Sequence, residues 1–442
     1  MKAGFLTFGR DDLGYGMEII RRELVAAGHE CYRVTPKTAR CCDVIMFSVF
    51  WFEHLFLLAD FLRRAGIEKK QKDRPRIIVG GFCTFNPVPM LCYADAVVVG
   101  DGEGIVTAVV SGDYSAKSVL CDGKDSVTWG NSELNPICHE TNGVARIELA
   151  RGCRARCAFC AVAHLKPYRE ASVDAIEKCL NETRLKRVSL FAPEPTMHSR
   201  DTEINMLCRL NRKQRQDSDV RLDRLDKRSD SVPRVGIEGL SERLRLLVKK
   251  PYQDETIIAA VERAIKDRRK GLFMYMILDL PGECEDDWSQ FGNLLRKIGE
   301  IKGAEKFLLK PSPSVFMPTP HTPMAGCAIN WDRDCGKMWE EFFGRGKNRV
   351  WLVMMAERSR VFSPHMRLLQ MMATRAGSEF SEKEAEMHGK GVIKISSGRL
   401  TVANKTGVEK ALQSDGLISK YCGERSFGPW DIVKMKEDKC LT

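Results

Sequence analysis

The chain contains no run approaching the ~20 consecutive apolar residues that a membrane-spanning helix requires. Residues Met1 to Gly9 form too short an apolar stretch for a secretory h-region and carry no cleavage site, so the expectation is a cytoplasmic protein. Its seventeen cysteines follow no disulfide framework, and several are flanked by apolar residues. That usage excludes a disulfide-stapled scaffold and fits a reducing compartment, where thiols stay thiols. A hydrophobic content of 43% with 29% charged residues excludes a disordered chain. Aromatic residues are nearly missing from the most basic stretch, Arg151 to Lys250, which holds 23 Lys/Arg against 14 Asp/Glu. Clustered cations suit phosphate contacts, but without interleaved rings there is little for bases to stack on. A nucleic-acid partner is therefore one reading of the charge, and a solvated helix face around Arg209 to Arg215 is the other.

What is present is a long alternation of strand and helix patterns. At 442 residues the chain has room for two or three domains with separate cores. In residues 1–110 the strand candidates are Lys2 to Phe8, Cys31 to Thr35, Asp43 to Val49, Arg76 to Val79 and Ala96 to Val99, with helices over Gly16 to Ala27 and Phe52 to Ala65. Strands separated by helices predict a parallel, doubly wound Rossmann-like sheet whose ligand edge lies at the strand C-termini. That edge carries Gly9 to Gly16, Ser48 to Trp51, Gly80-Gly81-Phe82 and Gly100 to Gly104. Residues 111–142 have little periodicity and read as a linker. Residues 143–325 repeat the βα pattern, with strands at Val144 to Ala150, Arg187 to Ala192, Arg234 to Ile237, Leu272 to Leu280 and Lys306 to Lys310, and helices such as Ser172 to Thr183 and Asp254 to Arg268. This predicts a partial TIM-like barrel, with chemistry at the C-terminal strand ends. Residues 326–442 read as a small α+β cap filled by Trp339, Phe342, Phe343, Trp351 and the pairs Met354-Met355 and Met371-Met372. The fold class is α/β.

The chemistry concentrates in Arg151-Gly-Cys153-Arg-Ala-Arg-Cys157-Ala-Phe159-Cys160, directly after the first strand of the second domain. Three thiolates on one short loop can hold three corners of a [4Fe–4S] cube and leave the fourth iron open. Zinc is the competing reading, but it takes four ligands, usually as two separated pairs, and no partner pair follows at such spacing. The CxxxCxxC spacing, with aromatic Phe159 before the last cysteine, resembles the radical S-adenosylmethionine (SAM) superfamily. The resemblance implies a cluster on Cys153, Cys157 and Cys160 whose open iron chelates SAM, a one-electron donor of flavodoxin or ferredoxin type, and reductive cleavage of SAM to a 5′-deoxyadenosyl radical. It also implies roles further along. Glu194 in Phe191-Ala-Pro-Glu-Pro195 would bind the SAM amino group, although the usual glycines of that turn are replaced. Arg221 and Arg224 would reach the carboxylate or ribose, an arginine suiting planar recognition. Glu238 and Ser241 would contact ribose, and the backbone at Ile277 and Leu278 would lie along adenine. Glu283 is expected to cap the following helix.

A second resemblance covers about the first 110 residues. Arg76-Ile-Ile-Val-Gly-Gly81 and Tyr93 to Glu103 resemble the cobalamin-binding domain that precedes many radical SAM domains, which implies a cofactor edge at Ser48, Gly80, Gly81, Gly100, Gly102 and Glu103. The loop that carries a cobalt-ligating histidine in methionine-synthase-type members reads Gly9-Arg-Asp-Asp-Leu-Gly-Tyr-Gly16 here, without histidine. Cobalamin held without that ligand and an empty scaffold domain are both open. Ala163 to Arg169, Ser314 to Pro323 and Pro429-Trp-Asp431 also resemble this group, and they put forward Tyr168 and His321 to hold substrate or move a proton. The implied activity is methylation of an unactivated carbon in a peptide or small metabolite, with nucleic acid as the alternative substrate. Rivals are a radical rearrangement, lyase or nucleic-acid modification without cobalamin chemistry, and a non-catalytic iron–sulfur or cobalamin sensor. Methylthiolation is disfavoured because Cys31, Cys41, Cys42, Cys83 and Cys92 form no second cluster set, and Cys327, Cys335, Cys422 and Cys440 are spaced as isolated thiols.

Overall fold

A run as apolar as Val-Ile-Met-Phe is stable as a strand only when both faces are covered, as they are in a parallel sheet flanked by helices. Such runs build the first sheet. A computed structural model of the chain describes residues 1–7, 13–216, 219–227, 232–344, 363–426 and 428–434. It is a mixed α/β protein that divides into two units, Met1–Glu133 with Leu368–Thr442, and Leu134–Arg367.

In the first unit, β1 (Lys2–Phe5), β2 (Glu30–Arg33), β3 (Val44–Ser48), β4 (Arg76–Gly80) and β5 (Ala96–Val98) run parallel in the order β2-β1-β3-β4-β5. This is a doubly wound order with its switch point between β1 and β3. Helices α1 (Tyr15–Ala26), α2 (Glu53–Ala65) and α3 (Val88–Leu91) lie in crossovers between parallel strands, and α4 (Val106–Ser111) follows β5. Helix α2 stops at Gly66, whose φ of 64° is the left-handed geometry that glycine adopts without strain. Val44, Ile45, Ile77, Val79 and Val97 are fully buried.

The stretch 111–142, expected as a linker, is built into the structure. Its β6 (Val119–Cys121) adds an antiparallel edge to the sheet with Val119 and Leu120 fully buried, and β7 (Val127–Thr128) precedes the buried Trp129. These apolar residues form segments too short for a periodicity to register.

In the second unit, β8 (His139–Thr141) pairs antiparallel with β9 (Val144–Glu148), and β10 (Ala150–Arg151) pairs antiparallel with β11 (Arg169–Glu170) across α5 (Ala161–Leu165). The βα repeat continues through α6 (Val173–Glu182), β12 (Arg187–Phe191), α7 (Asp201–Leu210), β13 (Gln214–Arg215), β14 (Asp219–Val220), β15 (Arg234–Glu238), α8 (Glu242–Leu247), α9 (Asp254–Lys266), β16 (Gly271–Leu278), α10 (Glu285–Gly299) and β17 (Leu308–Val315). Two sheets result, β13-β12-β9-β8 and β14-β15-β16-β17, parallel apart from β8. The chain order of the parallel strands is their spatial order, so the loops after β9, β12, β14, β15, β16 and β17 all leave from C-terminal strand ends.

The residues assigned to a separate cap divide between the units. Helix α11 (Cys335–Gly344) brings Trp339 and Phe342 against Trp288 and Phe291 of α10, with ring centroids 5.4–6.2 Å apart. Beyond Arg367 the chain groups with the first sheet. Met371 and Met372 are fully buried there, in keeping with core filling, and Arg63 of α2 pairs with the buried Glu384 at 2.7 Å. The segment Pro429–Ile432 is a 3-10 turn, and β20 (Val433–Lys434) follows it to pair with β7, after the hairpin of β18 (Ile393–Ser396) and β19 (Arg399–Val402). Gly9 to Asp12, Trp351, Met354, Met355 and Cys440 lie outside the described residues.

Candidate active site

The cysteine loop is shaped by its backbone before any ligand is considered. Gly152 has φ 79°, and a Cβ there would stand 2.5 Å from the Pro167 carbonyl oxygen, so only glycine lets the loop pass beneath the returning strand β11. The Cys160 amide donates to the Cys157 carbonyl (3.1 Å), the His164 ring is hydrogen-bonded to that same carbonyl (3.0 Å), and the Ala158 amide donates to the Val248 carbonyl (3.1 Å). Cys157 is buried; Cys153 and Cys160 are half-buried. Burial pushes the Cys157 thiol up to about 11, with the Lys250 ammonium pulling the other way. Burial also raises the Cys153 thiol, assisted by Cys160 and Glu194 and opposed by the Ala155 amide and Arg221.

Three thiolates on one loop are a donor set that an iron–sulfur cube can use. In a cube each thiolate binds a different iron, so the sulfurs stand further apart than around one metal. Among the described residues no three His, Cys, Asp or Glu side chains converge on a single-ion site, and the three thiols nevertheless feel one another's charge. Thiols held this high release their protons when metal binds, so metal loading is coupled to deprotonation.

Several predicted residues gather around this loop. Glu194, 7% exposed, acts on Cys153 electrostatically, while its carboxylate accepts from the Thr196 amide (3.1 Å) and hydroxyl. Arg221 acts on Cys153 and Cys157; it donates to Asp223 (3.0 Å), and its guanidinium lies 5.7 Å from the Tyr252 ring centroid. Glu238 ends β15 at a register shift, with φ 68°, and accepts from Lys250 at 2.8 Å. Tyr168 is stacked under Arg154, 4.2 Å from guanidinium carbon to ring centroid, and donates to Glu170 at 2.8 Å. Burial, then that bond to Glu170, raises its hydroxyl pKa, so Tyr168 holds its proton toward Glu170 and is unsuited to accept one. Phe159 is half-buried within the loop itself.

Other predicted residues have local work. Arg224 donates to the Thr196 carbonyl (2.8 Å). Ser241 is the N-cap of α8 and donates to the buried Asp287 (2.5 Å). Ile277 and Leu278 lie buried in β16 beside Ser314 and Val315 of β17, and the Leu278 carbonyl accepts from the Phe316 amide (2.8 Å). His321 stands in a left-handed turn after β17, with φ 61°. Glu283 does not cap α10. Asp287 does, accepting from the Cys284 amide (2.8 Å), and Glu283 instead accepts from the Asp279 amide and the Trp288 indole and pairs with Arg333.

Sequence reasoning missed Lys250 and Tyr252. The only sign of them is Gly236, a glycine inside a strand with no turn to make. Sequence reasoning also read the basic stretch as an exposed face, and two of its cations are not on one. Lys213 donates to the carbonyls of Thr183 (2.6 Å) and Leu185 (3.0 Å), and Arg215 pairs with Asp201 at 2.8 Å with both side chains at most 10% exposed. Charge counts cannot tell a cation that holds the fold together from one that meets solvent.

In the first unit the glycines of the strand-end loops are used by the chain itself. A Cβ on Gly81 would lie 2.8 Å from the Ser48 hydroxyl and from the Val49 backbone, and one on Gly100 would lie 2.4 Å from the Gly130 carbonyl oxygen. The Gly80 carbonyl accepts from the Val49 amide (2.8 Å). Gly102 packs near Ile20, and Glu103 is half-buried beside it. Beside the switch point, Phe50 and Trp51 are 50% and 59% exposed and meet edge to face at 5.1 Å, with Phe82 6.1 Å from Phe50. His54 Nδ1 lies 3.2 Å from both the Phe50 amide nitrogen and the Ser48 carbonyl oxygen.

The comparisons with known proteins agree with the loop. Residues 147–295 match the radical SAM superfamily model, and residues 25–124 match the model for the N-terminal region of radical SAM proteins. The chain belongs to the radical SAM superfamily. An uncharacterised protein of Methanocaldococcus jannaschii is 25% identical over 292 residues, which cover 58% of this chain and 63% of that relative. Two solved structures of the cobalamin-dependent S-adenosylmethionine radical enzyme OxsB are similar. The form with aqua-cobalamin has a TM-score of 0.49 at 13% identity over 97% of this chain and 82% of that one. The form with aqua-cobalamin and S-adenosylmethionine has 0.46 at 14% over 95% and 66%. Among the described residues no helix is long and apolar enough to cross a membrane.

Proposed function

We propose that this radical SAM enzyme uses cobalamin to methylate an unactivated carbon of a small metabolite or peptide. The observation that carries the reading is the cysteine loop at the C-terminal strand ends with Glu194, Arg221 and the Glu238–Lys250 pair around it. Cys153, Cys157 and Cys160 would hold three irons, and Glu194, Arg221 and Glu238 would fix the amino, carboxylate and ribose groups of SAM. When bound, the cluster supplies the electron that cleaves SAM, and cobalamin supplies the methyl carrier. The chain's own contribution is placement. Support for cobalamin comes from the doubly wound order of the first sheet and from the exposed apolar rings of Phe50 and Trp51 beside its switch point, where such sheets take ligands.

A specific observation favours a second reading, in which the first unit is a scaffold. Gly81 and Gly100 are required by the chain's own close approaches, so the glycine-rich edge stands without a cofactor to explain it. Anaerobic reconstitution with iron, sulfide and hydroxocobalamin, then SAM labelled in its methyl group, reductant and cell-extract fractions, separates the two. Cobalamin retained after gel filtration and label in a C-methylated product support the first. Production of 5′-deoxyadenosine with no retained cobalamin selects the second. Loss of that product when Cys153, Cys157 and Cys160 are all replaced by alanine, with the chain still folded, ties the chemistry to the loop.

A further inference from the structure

Lys250 is held where a long cationic side chain rarely sits. Its side chain is 12% exposed, and its ammonium donates to the Gly236 carbonyl (2.9 Å) and to Glu238 (2.8 Å). Its third N–H has no partner among the described residues. The backbone beneath it is fixed on both sides. The Lys250 amide donates to the Arg245 carbonyl (2.8 Å) and the Tyr252 amide to the Lys250 carbonyl (2.7 Å). Arg245, itself fully buried, donates to the Tyr252 carbonyl (2.6 Å). Two residues before Lys250, the Val248 carbonyl accepts from Ala158, the residue after Cys157. The cysteine loop and the lysine are therefore fastened to the same short segment. Of the charged groups acting on Cys157, Lys250 is the strongest and Glu238 is weaker.

We propose that Lys250 is a positioning residue of the cysteine loop, whose fixed positive charge beside Cys157 raises the reduction potential of the [4Fe–4S] cluster. The inference rests on the cluster reading above. Reduction adds one electron to the cluster from the external one-electron donor, and no bond breaks in that step. A cation held in a poorly solvated position favours the more negative, reduced form, and net local charge is one of the means by which proteins set such potentials.

The test is electron paramagnetic resonance of the full reconstituted chain poised at a series of potentials, without SAM. Lys250→Met should lower the ratio of reduced to oxidised cluster at fixed poise about tenfold, equivalent to a shift of ~59 mV for a one-electron couple. Lys250→Arg should titrate as the parent does. Glu238→Gln, which leaves the ammonium uncompensated, should shift the ratio the opposite way. Equal midpoints for the parent, Lys250→Met and Glu238→Gln at equal iron content would overturn the inference and leave the cluster reading standing. If Lys250→Met loads no iron, the comparison of Glu238→Gln with Lys250→Arg decides, equal midpoints again overturning it. A parent protein that takes up no four-iron cluster overturns both.

Discussion

Gly236 and Lys250 share one space: a Cβ at position 236 would stand 2.5 Å from the Lys250 ammonium nitrogen and 2.2 Å from a Glu238 carboxylate oxygen. Glycine in a strand weakens it. Here it leaves room for an ion pair at the strand end.

Gly236→Ala should therefore displace the pair and cost about 1–3 kcal/mol, the usual range for overpacking. Thermal melting of the apo-protein reads this as a lowered midpoint, and an unchanged midpoint would mean the pair has room to move. Replacing Gly16 by alanine is the control, because a Cβ there meets nothing within 4 Å.

Ser241 was expected to contact ribose, yet its hydroxyl caps α8 and binds Asp287. Ser241→Ala should cost about 1 kcal/mol through the cap, with more from the buried carboxylate it deserts. The apparent affinity for SAM should stay within about twofold (~0.4 kcal/mol) if the capping role is the whole story. Paired measurements of melting and of SAM binding check this. A large loss of SAM affinity at unchanged stability would restore the ribose role.

Charge reversal at Arg215 should damage the fold before it touches any partner. The Arg215–Asp201 pair is nearly dry, and removing one member of such a pair typically costs about 3–5 kcal/mol. Nucleic-acid binding is better tested on the unaltered protein, as the dependence of affinity on salt. A flat dependence would assign the substrate to peptides or small metabolites.

The first unit should lose stability in acid through Asp95. Burial raises this carboxyl, but two bonds from Arg74 (2.7 and 2.8 Å) and one from the Ile77 amide (2.7 Å) outweigh it and hold the group below the usual carboxylate range. Its folded pKa is depressed, so its contribution is complete above the unfolded value of ~3.9 and disappears as pH falls through the folded value. Denaturant titrations from pH 6 down to ~2 should show a shallower acid loss in Asp95→Asn than in the parent. Parallel curves would refute the assignment.

How much of this was legible depends on the range of the forces involved. Val44–Ser48 and Glu53–Ala65 fall within one or two residues of their predicted bounds, because continuous apolar runs and helical periodicity are local signals. The cysteine loop was legible because three cysteines lie within eight residues. Lys250 was not, since its meaning comes from Gly236 and Cys157 on other elements. Val119–Cys121 was read as linker because three residues cannot display a period, although the sheet edge they complete is plain in space. Residues after Arg367 were assigned to a cap by their place in the chain, and in space they group with the first unit.

The hydrogen bond from the Ala158 amide to the Val248 carbonyl bears on the order in which the holoenzyme matures. Its two ends lie far apart along the chain, with β12 through α8 between them, so the cysteine loop reaches its final form only after that whole stretch has folded. A nascent chain that has emerged only as far as Cys160 presents three thiols on an unsupported loop. This bond therefore predicts that iron and sulfide are taken up by a folded apo-protein and not by the nascent chain.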